Sequence, residues 1–264
     1  MKFCREPFTA VLLLGMIVSC SGEVRSDRGA SAAEDATSLT ADILIDKAAR
    51  AHGTGNLDNA ILEFDFRGDR FVARRDDGLF SYERIYRDSA AAIRDVVNND
   101  EIFREINGQR VEISRRTQSS ILSRVNSTIY FASLPYALHD PAVESAYLGP
   151  GKFNGVDYDK IEINFKQEGG GPAHRDRFVY WISRDTDLID YFAYYYHEDE
   201  PGSRLRKLVN PRDVGGFRAV DHLNYGASPD TLGSRIELYD RLIESGALEL
   251  VSEVKHKNVS LVPL

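Results

Sequence analysis

Beyond residue 20 this sequence has no cysteine: both of its cysteines, Cys4 and Cys20, fall in the first twenty of 264 residues. The folded part therefore has neither a disulfide nor thiol chemistry. Its six histidines, His52, His139, His174, His197, His222 and His256, are scattered, and no two stand within five residues of each other. Without HExxH, HxH or a Cys-His set, a zinc or iron site of standard spacing has no support. Positive charge is not in surplus either. The formal charge is −8 and the pI about 5.3, which argues against a nucleic-acid partner, since phosphates call for a basic face. No serine lies in a GxSxG elbow. Gly169-Gly170-Gly171 is not followed by the Lys-Ser/Thr of a phosphate loop and reads as a hairpin connection. The composition implies no cofactor.

What is present begins with a targeting segment. Lys2 and Arg5 precede an apolar run from Phe8 to Ser19. That run is far short of the roughly 20 residues that span a bilayer, so residues 1–19 read as a signal peptide. It ends in Ile17-Val18-Ser19-Cys20, which resembles the bacterial lipobox. The resemblance implies that Cys20 is the lipid anchor and the membrane a partner through N-terminal acyl chains. Two or more chains hold durably where one binds only marginally. Ser21 rather than Asp after the cysteine implies an outer-membrane lipoprotein facing the periplasm. Residues 20–38, rich in Ser, Ala, Gly and charge, read as a flexible tether.

Residues 39–264 read as one domain. A short helix is expected from Thr40, with Gly53 just past its end. The period then changes to two. Leu62, Phe64 and Phe66 alternate with charged residues, Phe71 begins a return strand, and Phe80 to Tyr86 alternate again. Asn107-Gly108 and Asn154-Gly155 are strong hairpin signals. Between these β-rich halves lies the one long stretch with a helical stripe. Ile121, Leu122, Val125, Ile129 and Ala132 share a side, Arg115, Arg116, Ser123 and Asn126 fill much of the other, and Pro135 stops the helix. In the second half, Val156–Phe165, Phe178–Ile182, Leu188–His197, Leu205–Val214 and Phe217–Tyr225 read as strands. Residues 247–262 read as one closing strand, and 236–244 is ambiguous. About ten antiparallel strands must hide their edges. The expected fold is mainly β (α+β): a curved antiparallel open barrel with the amphipathic helix against its concave face.

Several segments together, namely the lipobox at Cys20, Ala51-His52-Gly53, Phe64-Asp65-Phe66-Arg67, the run from Asn126 to Pro135 and Tyr194-Tyr195-Tyr196, resemble an uncharacterised family of Bacteroidota lipoproteins. That family is similar in architecture to the LolA/LolB-like fold, an incomplete barrel lidded by helices over an apolar cavity. Relatives of the fold carry lipoprotein acyl chains across the periplasm. The resemblance implies no catalytic residue.

The aromatic residues on the helix and on the later strands suggest where a ligand would lie. The expected pocket comprises Leu122, Val125, Ile129, Tyr130, Leu134, Trp181, Phe192 and Tyr194, with hinges at Ser114 and Pro135. The expected activity is non-enzymatic binding of a lipid or another apolar small molecule. Two alternatives remain: an envelope interaction module with a filled core, and a periplasmic hydrolase.

Overall fold

The computed structural model describes residues 27–168, 174–197, 201–227 and 235–264. The signal peptide, Cys20, the start of the tether and Gly169–Gly171 lie outside these. The chain begins with helix α1 (Asp27–His52) and a one-turn helix at Thr54–Leu57. An antiparallel meander follows: β1 (Ala60–Phe66), β2 (Asp69–Asp76), β3 (Leu79–Asp88), β4 (Ala91–Asn98), β5 (Ile102–Ile106) and β6 (Gln109–Val111). Helix α2 (Arg115–Ala132) and a turn of helix at Tyr136–His139 lead into β7 (Val143–Phe153), β8 (Val156–Phe165), β9 (Arg177–Ser183), β10 (Ile189–Tyr196), β11 (Gly202–Val214) and β12 (Phe217–Ala227). The chain closes with a turn at Ile236–Leu238, α3 (Tyr239–Glu244), β13 (Leu248–Val254) and β14 (Lys257–Pro263).

These strands form two seven-stranded antiparallel sheets, ordered β14-β1-β2-β3-β4-β5-β6 and β13-β12-β11-β10-β9-β8-β7. The final run is therefore two strands and not one. At Lys255-His256 the chain leaves the edge of the second sheet beside β12 and joins the edge of the first beside β1. The sheets do not close on each other, and the result is a curved open barrel.

Helix α2 starts where its sequence signals it. The hydroxyl of N-cap Ser114 accepts from the Thr117 N–H at 3.2 Å. Ile121, Val125, Ile129 and Ala132 are buried against Leu62, Phe64, Phe71, Ala73 and Val97 of the first sheet, with Leu122 half-buried beside them. The adjacent Tyr130 and Phe131 pack instead on the second sheet. Helix α1 starts thirteen residues before the expected Thr40, so residues 27–38 of the expected tether are helical. Its Ala41, Leu44, Ile45 and Ala48 pack on Ile161, Tyr180, Ile182 and Leu208 of the second sheet. The ambiguous stretch 236–244 is helical. It covers the other face of that sheet, with Ile236 and Tyr239 against Trp181, Tyr191 and Leu205. A sheet buried on both faces loses the alternation of polar and apolar residues, which is why Phe178–Ile182 reads as one apolar run.

Residues paired in register share a face, and this locates the charges. Phe71 pairs with Arg84, Arg84 with Asp95, and Asp95 with Arg104. The inner face of the first sheet thus carries an ionic ladder, with Arg84–Asp69 at 2.7 Å and Arg104–Asp95 at 2.6 Å. Asp95 is buried between two guanidinium groups.

Candidate functional site

The hollow expected beneath α2 is filled by rings. Phe131 stacks on Phe192 at 5.5 Å between centroids, Tyr180 on Phe192 at 5.6 Å and Phe178 on Tyr194 at 5.7 Å. The Tyr130 and Tyr180 hydroxyls share a hydrogen bond of 2.7 Å. Burial pushes both phenols upward, and for Tyr130 that bond opposes the shift. Among the residues expected to line the pocket, Val125, Ile129, Leu134 and Phe192 are buried in the two inner clusters, while Leu122, Tyr130 and Tyr194 pack against them. Trp181 departs from expectation. It lies on the opposite face of the second sheet, its indole N–H 3.4 Å from Asp240 Oδ2. Along β9 the side chains alternate, so Tyr180 points inward and Trp181 outward.

Open space lies to one side of this packing. A cleft of about 1190 Å³ opens where the end of α1, the β2–β3 hairpin and the exit of α2 meet. Ala49, Phe80, Tyr82, Ile129, Tyr130, Tyr136, Ala142 and Phe165 contribute apolar and aromatic wall, and of the expected pocket only Ile129 and Tyr130 reach it. Polar groups punctuate the rim. Asp46 meets His139 at 2.9 Å, the Tyr136 hydroxyl donates to Asp58 at 2.8 Å, and Asp140 accepts from the Ala142 N–H at 2.8 Å. Burial foremost, and then the bond to Asp58, pushes the Tyr136 phenol up to about 12.

Arg75 lines the same cleft and is only 5% exposed. It ends the inward alternation Phe71, Ala73, Arg75 of β2 and pairs with Phe80 across the hairpin. Its Nε donates to the Tyr82 hydroxyl at 3.1 Å and its Nη2 to Ser133 Oγ at 3.4 Å. Its guanidinium carbon lies 4.2 Å from the Tyr136 ring centroid. The sequence reading did not single out Arg75. A charged residue at the third inward position of an alternating strand was the available signal.

The described residues hold no group of three or more His, Cys, Asp or Glu side chains arranged to take a metal ion. No described helix is long and apolar enough to cross a membrane.

Residues 37–256 match the model of a family of unknown function, DUF6503. The chain belongs to this family. No curated protein matches the sequence. Among solved structures, the DUF6503 chain is similar to a LolA superfamily protein from Nitrosomonas europaea, with 10% identity over 85% of this chain and 94% of that one and a TM-score of 0.48. It is also similar to a domain named for outer membrane lipoprotein sorting from Vibrio parahaemolyticus, with 13% identity, 86% and 93% coverage and a TM-score of 0.44. A DUF1329 family protein from Desulfovibrio piger gives 12% identity, 83% and 92% coverage and a TM-score of 0.40.

Proposed function

We propose that this DUF6503 protein is a membrane-anchored envelope lipoprotein that binds a lipid or other apolar ligand without catalysing a reaction. The ligand lies in the cleft beside the exit of α2, and the ring-filled space beneath the helix takes no part. The observation that carries this reading is the cleft itself. Its volume of about 1190 Å³ is walled by aromatic and small apolar side chains, with charged and polar groups set among them, and that concave, partly apolar wall suits a small amphiphilic molecule. The lipobox-like end of the leader gives the anchor, Cys20, with the domain held in the periplasm.

The neutral apolar dye N-phenylnaphthylamine tests the cleft. Its fluorescence should rise on binding the wild-type protein. Ala137, half-buried on the turn after α2, borders the cleft, so Ala137→Trp drives an indole into it. That variant should weaken dye binding about tenfold or more, a loss of at least about 1.4 kcal/mol. Leu250→Trp, at an exposed position on β13, should leave binding unchanged. Failure of the wild-type protein to bind the dye, or equal binding by Ala137→Trp, sinks the reading.

A further inference from the structure

The arginines on the inner face of the first sheet are not treated alike. Arg84 and Arg104 are answered by Asp69 and Asp95. Arg75 is more deeply buried than either and has no carboxylate within 4.0 Å among the described residues. Its Nη1 is buried and has no hydrogen-bond partner among the described residues. The two partners it does have, Tyr82 and Ser133, are neutral hydroxyls, and the Ser133 hydroxyl is itself committed to the Ile129 carbonyl at 2.7 Å. Taking a cation out of water without a counter-charge is costly, and a fold that needed only packing here would favour an apolar residue.

We infer that Arg75 is the head-group anchor of the cleft, and that the ligand is an amphiphile with a carboxylate or phosphate head on an alkyl tail. The inference rests on the cleft being the ligand site and adds the chemical class of the ligand. A guanidinium presents a planar fork of donors that suits the paired oxygens of a carboxylate or phosphate, and Nη1 is the free donor of that fork. The Tyr82 and Tyr136 rings flank the guanidinium, at 5.1 Å and 4.2 Å from its carbon. They hold it in place and shield it from water while leaving it uncharged neighbours. The tail then runs along Phe80, Tyr130 and Phe165, which line the same cleft. The three carboxylates of the rim are each engaged, Asp46 by His139, Asp58 by Tyr136 and Asp140 by the Ala142 amide, and none of them forms an ion pair with Arg75.

The test uses the full chain produced without lipidation and displacement of bound N-phenylnaphthylamine. The competitors are dodecanoate, dodecyl phosphate and dodecanol, with acetate and inorganic phosphate as tail-less controls. On the wild-type protein the two alkyl anions should compete about tenfold or more better than dodecanol, in line with the strength of a hydrogen bond to a charged group. Acetate and inorganic phosphate should displace nothing over the same concentrations. Arg75→Gln should bring dodecanoate to within about twofold of dodecanol and leave dodecanol unaltered, with Arg75→Lys in between. Equal competition by dodecanol and dodecanoate on the wild-type protein overturns the inference, and that comparison requires no variant to fold. A loss of dodecanol binding in Arg75→Gln equal to that of dodecanoate overturns it too. Displacement by inorganic phosphate as effective as that by dodecyl phosphate would make the site one for a free anion. Should the dye bind but no alkyl compound displace it, the head-group inference falls while the cleft stands. Should the dye not bind, both fall.

Discussion

His52 ends α1 with its ring almost wholly buried, and its Nε2 accepts the Ile189 N–H at 3.0 Å. That bond requires the neutral ring. Burial first, and the nearby Arg218 charge second, bring its pKa down to about 3 from 6.5. The sign follows from linkage. Below pH 6.5 the unfolded chain takes up a proton on this ring and the folded chain does not until near pH 3, so the folded state loses stability as the pH falls through that window. His222 is held neutral in the same sense, by burial foremost and then by Arg206 and His256. His52→Gln retains an acceptor for the Ile189 N–H and removes one titration. Between pH 6 and 4, its stability should fall less steeply than that of the wild type, by up to about 1.4 kcal/mol per pH unit. Urea midpoints across that range measure it. Parallel slopes would show that His52 is not the group that titrates.

The junction after α1 depends on a close approach of two backbones. Gly53 has a φ of 68°, and a Cβ there would stand 1.9 Å from the Gly216 carbonyl oxygen in the β11–β12 hairpin. Asn56 fastens the contact, its Nδ2 donating to the carbonyls of Gly53 and Gly216 at 3.0 and 3.1 Å. Helix α1 is thereby seated on the second sheet, next to the wall of the cleft formed by Ala49 and Thr54. Gly68 has a φ of 90° but open space around it. Gly68→Ala should therefore cost only the left-handed conformation, about 1–2 kcal/mol. Gly53→Ala carries that cost and must also displace a backbone, so its loss should be larger, about 3 kcal/mol or more. Thermal or urea unfolding of the two variants gives the comparison, and equal losses would refute the steric account.

At the scale of the whole molecule, the last two strands carry the design. One pairs with β12 and the next with β1, so the two seven-stranded sheets are tied to each other by the chain between β13 and β14. Helices α1 and α2 line the inside of the barrel wall, α2 bridging both sheets and α1 packed on the second, while α3 covers the outer face of the second. Rings fill most of the interior, and the cleft is left at one end. The proposed anchor is a separate device, joined to the wall through α1. Cys20→Ser should abolish incorporation of radiolabelled palmitate and move the protein from the membrane to the soluble fraction of a bacterial host. Unchanged labelling would refute lipidation at Cys20.

Much of the fold was legible because it is written in local periods. The stripe from Ile121 to Ala132, the alternation of Leu62, Phe64 and Phe66, and the two Asn-Gly turns each follow from which neighbours a backbone geometry brings to one side. The open barrel follows from the need to hide strand edges. The site was less legible. Trp181 and Tyr180 are equally apolar in sequence, and only the covering α3 segment decides that one faces outward into a second core. Residues 247–262 read as one strand because the change of sheet at Lys255-His256 leaves no local signal. Whether a hollow persists beneath α2 depends on ring volumes contributed by three separate elements, α2, β9 and β10. Arg75 could be read as one more strand cation until the tertiary structure surrounded it with Tyr82, Ser133 and Tyr136 and brought it no carboxylate among the described residues. The amino-acid order fixes period and register, which are properties of near neighbours. The identity of a buried group's partners is decided by residues tens of positions away, and it is visible only once the chain has folded.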